Sequence, residues 1–333
     1  MSKRVMIAGT GSGSGKTTLT CALLAALVAQ GKEVISFKCG PDYIDPMFHR
    51  KTTGVEARNL DIFLMGEEVV KKSVKDHSAN KDIAVLEGVM GLYDGMGSSS
   101  FASANHVSLI TNTPVVLIVN PKGTALSVCA LIKGFLEFEK NNIHAIILNN
   151  VSEKMFPFYQ EMIEKEFPLK VLGFLPHLPG VHFESRHLGL VTADEIADIQ
   201  EKINLLREAA VKYIDLAALA EIASQAIPFY LSSGSFTAVK NGSQPVTIYV
   251  ARDEAFSFFY EDNHDLLRTL GAEIKFFSPL YDTELPPEAD GLILWGGYPE
   301  LYASTLAANA KMKHSLTTAI KGGLPVYAEC GGF

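Results

Sequence analysis

Over roughly the first 230 residues, short runs of consecutive apolar positions alternate with longer stretches in which apolar residues recur every three or four positions. The runs at 5–8, 34–38, 83–87, 115–119, 143–148 and 171–174 are continuously hydrophobic rather than alternating, the pattern of strands covered on both faces. Helical spacing fits 17–30, 124–140, 157–167, 194–208 and 215–225, with Gly31 as the stop of the first. This alternation predicts an α/β fold built on a parallel sheet. Residues 231–245, LSSGSFTAVKNGSQP, are weakly apolar and rich in Ser, Gly and Asn, as a linker is. The alternation then restarts, with strands predicted at 246–250, 274–277, 291–294 and 325–328 and helices at 263–270 and 303–320. A first domain over 1–230 and a second over 246–333 are expected. The second is short for an α/β domain and reads as the N-terminal part of a truncated one. Its sheet is expected to expose apolar surface at 293–295 and 326–327.

Composition narrows the class. Hydrophobic residues make up 47% of the 333 positions and charged ones 20%, which suits packed cores and excludes disorder. The net charge of −8 argues against nucleic acid or an anionic membrane as partner. No apolar run approaches the roughly 18 residues of a membrane span, and the stretch after Lys3-Arg4 breaks at Gly9, too early for a secretory signal. Cys21, Cys39, Cys129 and Cys330 form no CxxC pair, so a reducing, cytoplasmic setting is expected.

The chemistry begins at 9–18, GTGSGSGKTT, between a strand and a helix. Gly9, Thr10, Gly13 and Gly15 would let backbone N–H groups converge on phosphate, Lys16 would reach the β/γ-phosphates, and the Thr17 hydroxyl would ligate Mg²⁺. The strict P-loop spacing puts glycine where Thr10 stands. Glu87, read as the end of the 83–87 strand, and Asp45, just after the second strand, complete a candidate Mg²⁺ set with Thr17. At the far end, 325–332 is a strand running into small residues around Cys330. That is the cysteine counterpart of a nucleophile elbow, with N–H groups at Gly331 and Gly297 as oxyanion donors. The other three cysteines read as buried hydrophobes.

Read together, KCGPDYIDP (38–46), LEGVMGLYDG (86–95), SRHLGL (185–190), ARDEAFSF (251–258), FSPL (277–280), GGYPE (296–300) and AECGG (328–332) resemble the cobyrinic acid a,c-diamide synthase family. Its phosphate loop is similar to that of dethiobiotin synthetases, and its second domain to class I glutamine amidotransferases. The resemblance implies ATP-dependent amidation of the a and c acetate side chains of a corrinoid, through acyl phosphates, with glutamine or ammonia as nitrogen source. It implies ATP as co-substrate bound by the loop, Lys38 and Asn149; Mg²⁺ on Thr17, Asp45 and Glu87; and Asp42, Tyr43 and Asp94 on the acyl-phosphate side. It also implies substrate contacts from Arg186 and His187, allows a homodimer, and places the histidine base of Cys330 downstream of Phe333. Asn150 stands where the family usually has arginine. Asp94 as a guide for ammonia and Asp94 as the cap of its glycine-flanked turn remain equal readings. Another tetrapyrrole, such as hydrogenobyrinate or a nickel-sirohydrochlorin, is the alternative substrate. A partition-type ATPase switch is disfavoured by Gly11, where that class carries lysine, and by the Cys330 domain; cobyric acid synthase is disfavoured by residues 42–45 and 185–190.

Overall fold

A computed structural model describes residues 3–181, 185–186, 189–190, 196, 198–231 and 246–333. The chain divides into two compact units, Met1–Ser233 and Gly234–Phe333. The linker expected at 231–245 falls, Leu231 apart, outside the described residues.

In the first unit, β1 (Lys3–Gly9), β2 (Val34–Cys39), β3 (Arg58–Leu60), β4 (Ile83–Gly91), β5 (Val115–Val119), β6 (Ile143–Asn149) and β7 (Lys170–Leu175) form one sheet. The order is β3-β2-β4-β1-β5-β6-β7 and every pairing is parallel. The apolar runs are buried on both faces, as their continuity requires. Around the sheet lie α1 (Lys16–Ala29), α2 (Asp45–Thr53), α3 (Ile62–Met65), α4 (Glu67–Ser78), α5 (Ala104–Ile110), α6 (Ser127–Glu137), α7 (Phe156–Glu166), α8 (Ile199–Tyr213) and α9 (Leu216–Ser224). A two-residue hairpin pairs β8 (Ser185–Arg186) with β9 (Gly189–Leu190). Helix α1 is apolar around most of its circumference and is buried from Leu19 to Leu27, because the sheet, α2 and α8 enclose it. The sheet order reverses around β1 and β4, so the loops after these strands meet at the C-terminal edge, where open α/β sheets bind ligands.

Several boundaries differ from expectation. Strand β4 runs on to Gly91, so Glu87 sits inside it rather than at its end. Helix α4 buries only the stripe Val70, Ser73, Val74 and Ser78 on an otherwise charged surface, too thin an apolar pattern to stand out.

The second unit carries β10 (Val246–Ala251), α10 (Glu261–Thr269), β11 (Ala272–Phe277), β12 (Gly291–Leu294), α11 (Ala303–Ala308), α12 (Ala310–Lys321) and β13 (Val326–Ala328). Its sheet is parallel in the order β11-β10-β12-β13. The single helix expected at 303–320 breaks at Asn309. There the side-chain oxygen caps α12 at Met312 N–H, 3.3 Å away, and the amide donates to Pro279 O and Asp282 O. Asp253 joins two of the sequence motifs: Oδ1 accepts from Ala255 and Phe256 N–H, and Oδ2 from Ser278 Oγ and Leu280 N–H. The expected exposed surface is half corrected. Val326 and Tyr327 are exposed, but Ile293 and Trp295 are buried in a cluster with Val250, packed against Ile248, Phe259, Leu267 and Ile274.

Candidate active sites

The loop between β1 and α1 closes tightly on the end of β6. Gly15, the N-cap of α1, has φ +94°, and a Cβ there would collide with the Asn149 amide. Asn149 Nδ2 donates to Ser14 O at 2.8 Å, so this residue, expected to bind ATP, is engaged with the phosphate loop. Lys16 Nζ folds back onto Gly11 O at 3.0 Å. Burial, and then the nearby Lys38 charge, lower its pKa.

Strand pairing then assembles a charged cluster below the loop. Lys38 on β2 and Glu87 on β4 are register partners, which places their side chains together although 49 positions separate them. Lys38 Nζ bonds Glu87 Oε1 at 2.8 Å and also Asp45, with Asp42 Oδ2 at 3.8 Å. Thr17 Oγ1 donates to the same Glu87 oxygen at 2.8 Å. Asp42 Oδ1 accepts from the N–H groups of Ile44 and Asp45, opening α2 as a cap does. Helix α2 then presents Asp45 and, one turn on, His49 to the sheet, with His49 Nε2 2.6 Å from Glu87 Oε2. Sequence reasoning missed His49; its signal was the four-residue spacing from Asp45 behind a capped, proline-started helix.

Two fully buried carboxylates share one ammonium. Burial disfavours the Glu87 anion, yet Lys38 and the His49 hydrogen bond outweigh it and hold its pKa well below the usual range. Asp45 goes the other way: burial, only partly offset by Lys38, pushes it up to about 8. Burial would lower Lys38, but Asp45, Glu87 and Asp42 together raise it. Burial and the shared ammonium thus push the two acids apart, Glu87 toward its anion and Asp45 toward its protonated form, with more carboxylates than cations in the cluster. Oxygen donors with a deficit of positive charge fit Mg²⁺, which takes one or two carboxylates and completes its shell with phosphate and water. Among the described residues no group of three His, Cys, Asp or Glu side chains is arranged to hold a metal.

Of the remaining expected residues, Tyr43 is half-buried next to Asp42. Asp94 caps its turn, Oδ2 accepting from Gly91 N–H at 2.8 Å, and its charge also acts on Lys16. The Arg186 backbone lies in β8, while its side chain and His187 lie outside the described residues. Cys21, Cys39 and Cys129 are buried thiols with raised pKa values, through burial first in each case.

In the second unit Cys330 is exposed and has φ +50°, a left-handed backbone that non-glycine residues adopt at a cost. The residues around it must be small. A Cβ on Gly331 would stand 2.7 Å from Pro299 Cδ and 3.1 Å from Gly297 O; one on Gly296 would stand 3.2 Å from Cys330 Cβ. The turns carrying Gly297 and Gly331 thus pack directly on each other, because β12 and β13 pair with Leu294 opposite Ala328.

Comparisons with known proteins agree with this division. Residues 5–191 match the family described as CobQ/CobB/MinD/ParA nucleotide binding domain, and 247–333 the CobB/CobQ-like glutamine amidotransferase domain. The cobyrinate a,c-diamide synthase of Clostridium tetani is 44% identical over 330 residues, covering 99% of this chain and 73% of that protein. The enzyme of the same name from Clostridium acetobutylicum is 42% identical over 333 residues, covering 99% and 74%. Among solved structures, the MinD cell division protein of Aquifex aeolicus aligns with 69% of this chain and 100% of its own, at 16% identity and a TM-score of 0.40. Among the described residues no helix is long and apolar enough to cross a membrane.

Proposed function

Because the chain belongs to the cobyrinate a,c-diamide synthase family, we propose that it converts the a- and c-carboxylates of cobyrinate to amides, with ATP for activation and glutamine as nitrogen donor, in cobalamin synthesis. The observation that carries the reading is the meeting of phosphate loop and acid cluster at one point, the Thr17 hydroxyl on Glu87. A carboxylate is a poor acyl donor. Transfer of the γ-phosphoryl group to it yields ADP and an acyl phosphate, from which ammonia displaces phosphate to leave the amide.

In this reading Gly9, Thr10, Gly13, Gly15 and Lys16 cradle the phosphates, and Lys16 swings from Gly11 O to neutralise charge developing on the transferred group. Thr17, Asp45 and Glu87 hold Mg²⁺, which when bound neutralises phosphate charge. Lys38 keeps the two carboxylates together and would contact ATP in this reading. Asn149 braces the loop that the nucleotide occupies. Asp42, Tyr43 and Asp94 face the acyl-phosphate side, with Asp94 also fixing the turn after β4. Arg186 and His187 remain as contacts for substrate carboxylates. In the second unit, the Cys330 thiolate attacks the glutamine carboxamide, and the N–H groups of Gly297 and Gly331 receive the oxyanion. The tetrahedral intermediate collapses to a thioester, expelling ammonia with the proton given up by the thiol, and water then hydrolyses the thioester to glutamate and the free thiol. Four free cysteines support a reducing, cytoplasmic setting, and a homodimer is the assembly to test by sedimentation. The deciding experiment is mass spectrometry of cobyrinate incubated with ATP, Mg²⁺ and either glutamine or ammonium. Two successive amidations are expected. Unchanged cobyrinate alongside amidation of another tetrapyrrole would overturn the substrate assignment.

A further inference from the structure

Resting on the glutaminase reading of Cys330, we propose that Glu261, His264 and Trp295 form a buried positioning relay that holds the Gly296–Gly297 turn against the cysteine elbow. His264, on α10, has no solvent exposure, and both of its ring nitrogens are engaged. An indole N–H can only donate, so His264 Nε2 accepts from Trp295 Nε1 at 3.0 Å. The imidazole proton is then on Nδ1, donated to Glu261 Oε2 at 3.1 Å. Glu261 Oε1 in turn lies 3.2 Å from Arg252 NH2, whose guanidinium sits over the rings of Phe259 and Phe276. The indole therefore cannot slide or turn without leaving a buried imidazole nitrogen unpaired.

That constraint reaches the elbow through one residue of backbone. Trp295 is the first residue after β12, and Gly296 and Gly297 follow it. The Gly296 carbonyl accepts from Phe258 N–H at 3.0 Å. Glu329 N–H donates to Leu294 O at 3.2 Å, and a Cβ on Gly332 would stand 2.7 Å from Trp295 O, so both sides of Cys330 rest on the Leu294–Trp295 segment. Tyr327 of β13 packs edge-on against the indole at 5.7 Å. Displacing the indole moves the Gly297 turn relative to Cys330, and oxyanion donors act only when held within about half an ångström of the productive position.

The test uses the full-length enzyme assayed with glutamine and, separately, with ammonium. Trp295→Phe deletes the N–H and keeps an aromatic ring; Ile293→Val disturbs the same small cluster without touching the hydrogen bonds. Trp295→Phe is expected to lower kcat for glutamine about tenfold, less than full removal of an oxyanion donor. The glutamine KM and the ammonium-dependent rate should stay unchanged, and Ile293→Val should keep the wild-type ratio of the two activities. An unchanged ratio in Trp295→Phe, a parallel fall of both activities, or the same fall in Ile293→Val would each overturn the relay. Absence of glutamine-dependent turnover in the wild-type enzyme would instead overturn the reading of Cys330 on which the relay rests.

Discussion

Replacing Glu87 by glutamine tests the charge count of the acid cluster. The change is nearly isosteric. The amide carbonyl can still accept from Thr17 and Lys38, and the NH₂ group can face His49 Nε2, so the three hydrogen bonds at 2.8, 2.8 and 2.6 Å keep partners. What is lost is the fully buried negative charge bonded to Lys38, leaving Asp42 at 3.8 Å. Removing one partner of a buried ion pair costs about 3–5 kcal/mol when the other charge is left alone. Here it is not left alone, because Asp45 also bonds Lys38, and the Glu87 charge is, after burial, one of the causes that raise the Asp45 pKa. Ionisation of Asp45 restores a one-to-one pair, and the net loss should fall to about 1–2 kcal/mol. Glu87→Ala strands the Thr17 hydroxyl, removes one of the acceptors of Lys38 and opens a cavity, which should cost about 4 kcal/mol or more. Calorimetric unfolding of the unliganded protein separates these values. The only tryptophan, Trp295, lies in the second unit, so its fluorescence transition serves as an internal control that neither variant should move. Mg²⁺ titration of nucleotide binding should show Glu87→Gln needing far more cation, its cluster no longer short of positive charge. Equal destabilisation by Gln and Ala, or an unchanged Mg²⁺ requirement, would refute the shared-proton account.

Lys16→Ala should lower ATP-dependent amidation by on the order of 100-fold or more while leaving circular dichroism unchanged, since its ammonium holds only the Gly11 carbonyl. Asp45 has a folded pKa of about 8 against 3.8 for the free side chain, so between those values the native state binds the extra proton. Its contribution to stability must therefore fall as pH rises through that window, and Asp45→Asn, which mimics the protonated acid, should flatten that slope in unfolding measured from pH 6 to 8. Glu87, with its pKa lowered, has the opposite sign: its stabilisation is present above 4.5 and is lost as pH falls below that value. Cys330→Ala should lower glutamine-dependent turnover by about three orders of magnitude or more and spare the ammonium-dependent reaction; equal loss with both nitrogen sources would place the cysteine outside the glutaminase chemistry.

Features written in contiguous residues were legible from the sequence. Most strands of the first sheet follow from unbroken apolar runs, because a strand covered on both faces has no polar side to interrupt it; the short edge strand β3, Arg-Asn-Leu, carries no such run and was not legible. The phosphate loop needs only a strand, glycines, Lys-Thr and a helix in succession, and the Cys330 elbow only a strand end among small residues. Helices α2 and α5 were not legible, since each is short and its buried residues make no long periodic stripe; their stability comes from what they pack against. Only the tertiary structure decided that Lys38 would neighbour Glu87, because the pairing of β2 with β4 sets that register and no local preference records it. The same holds for the protonation of Asp45, which depends on how many charges burial forces to share one ammonium. His264 and Trp295, 31 positions apart, met for the same reason: α10 packs over the sheet end where β12 stops, and a buried indole N–H must find an acceptor there.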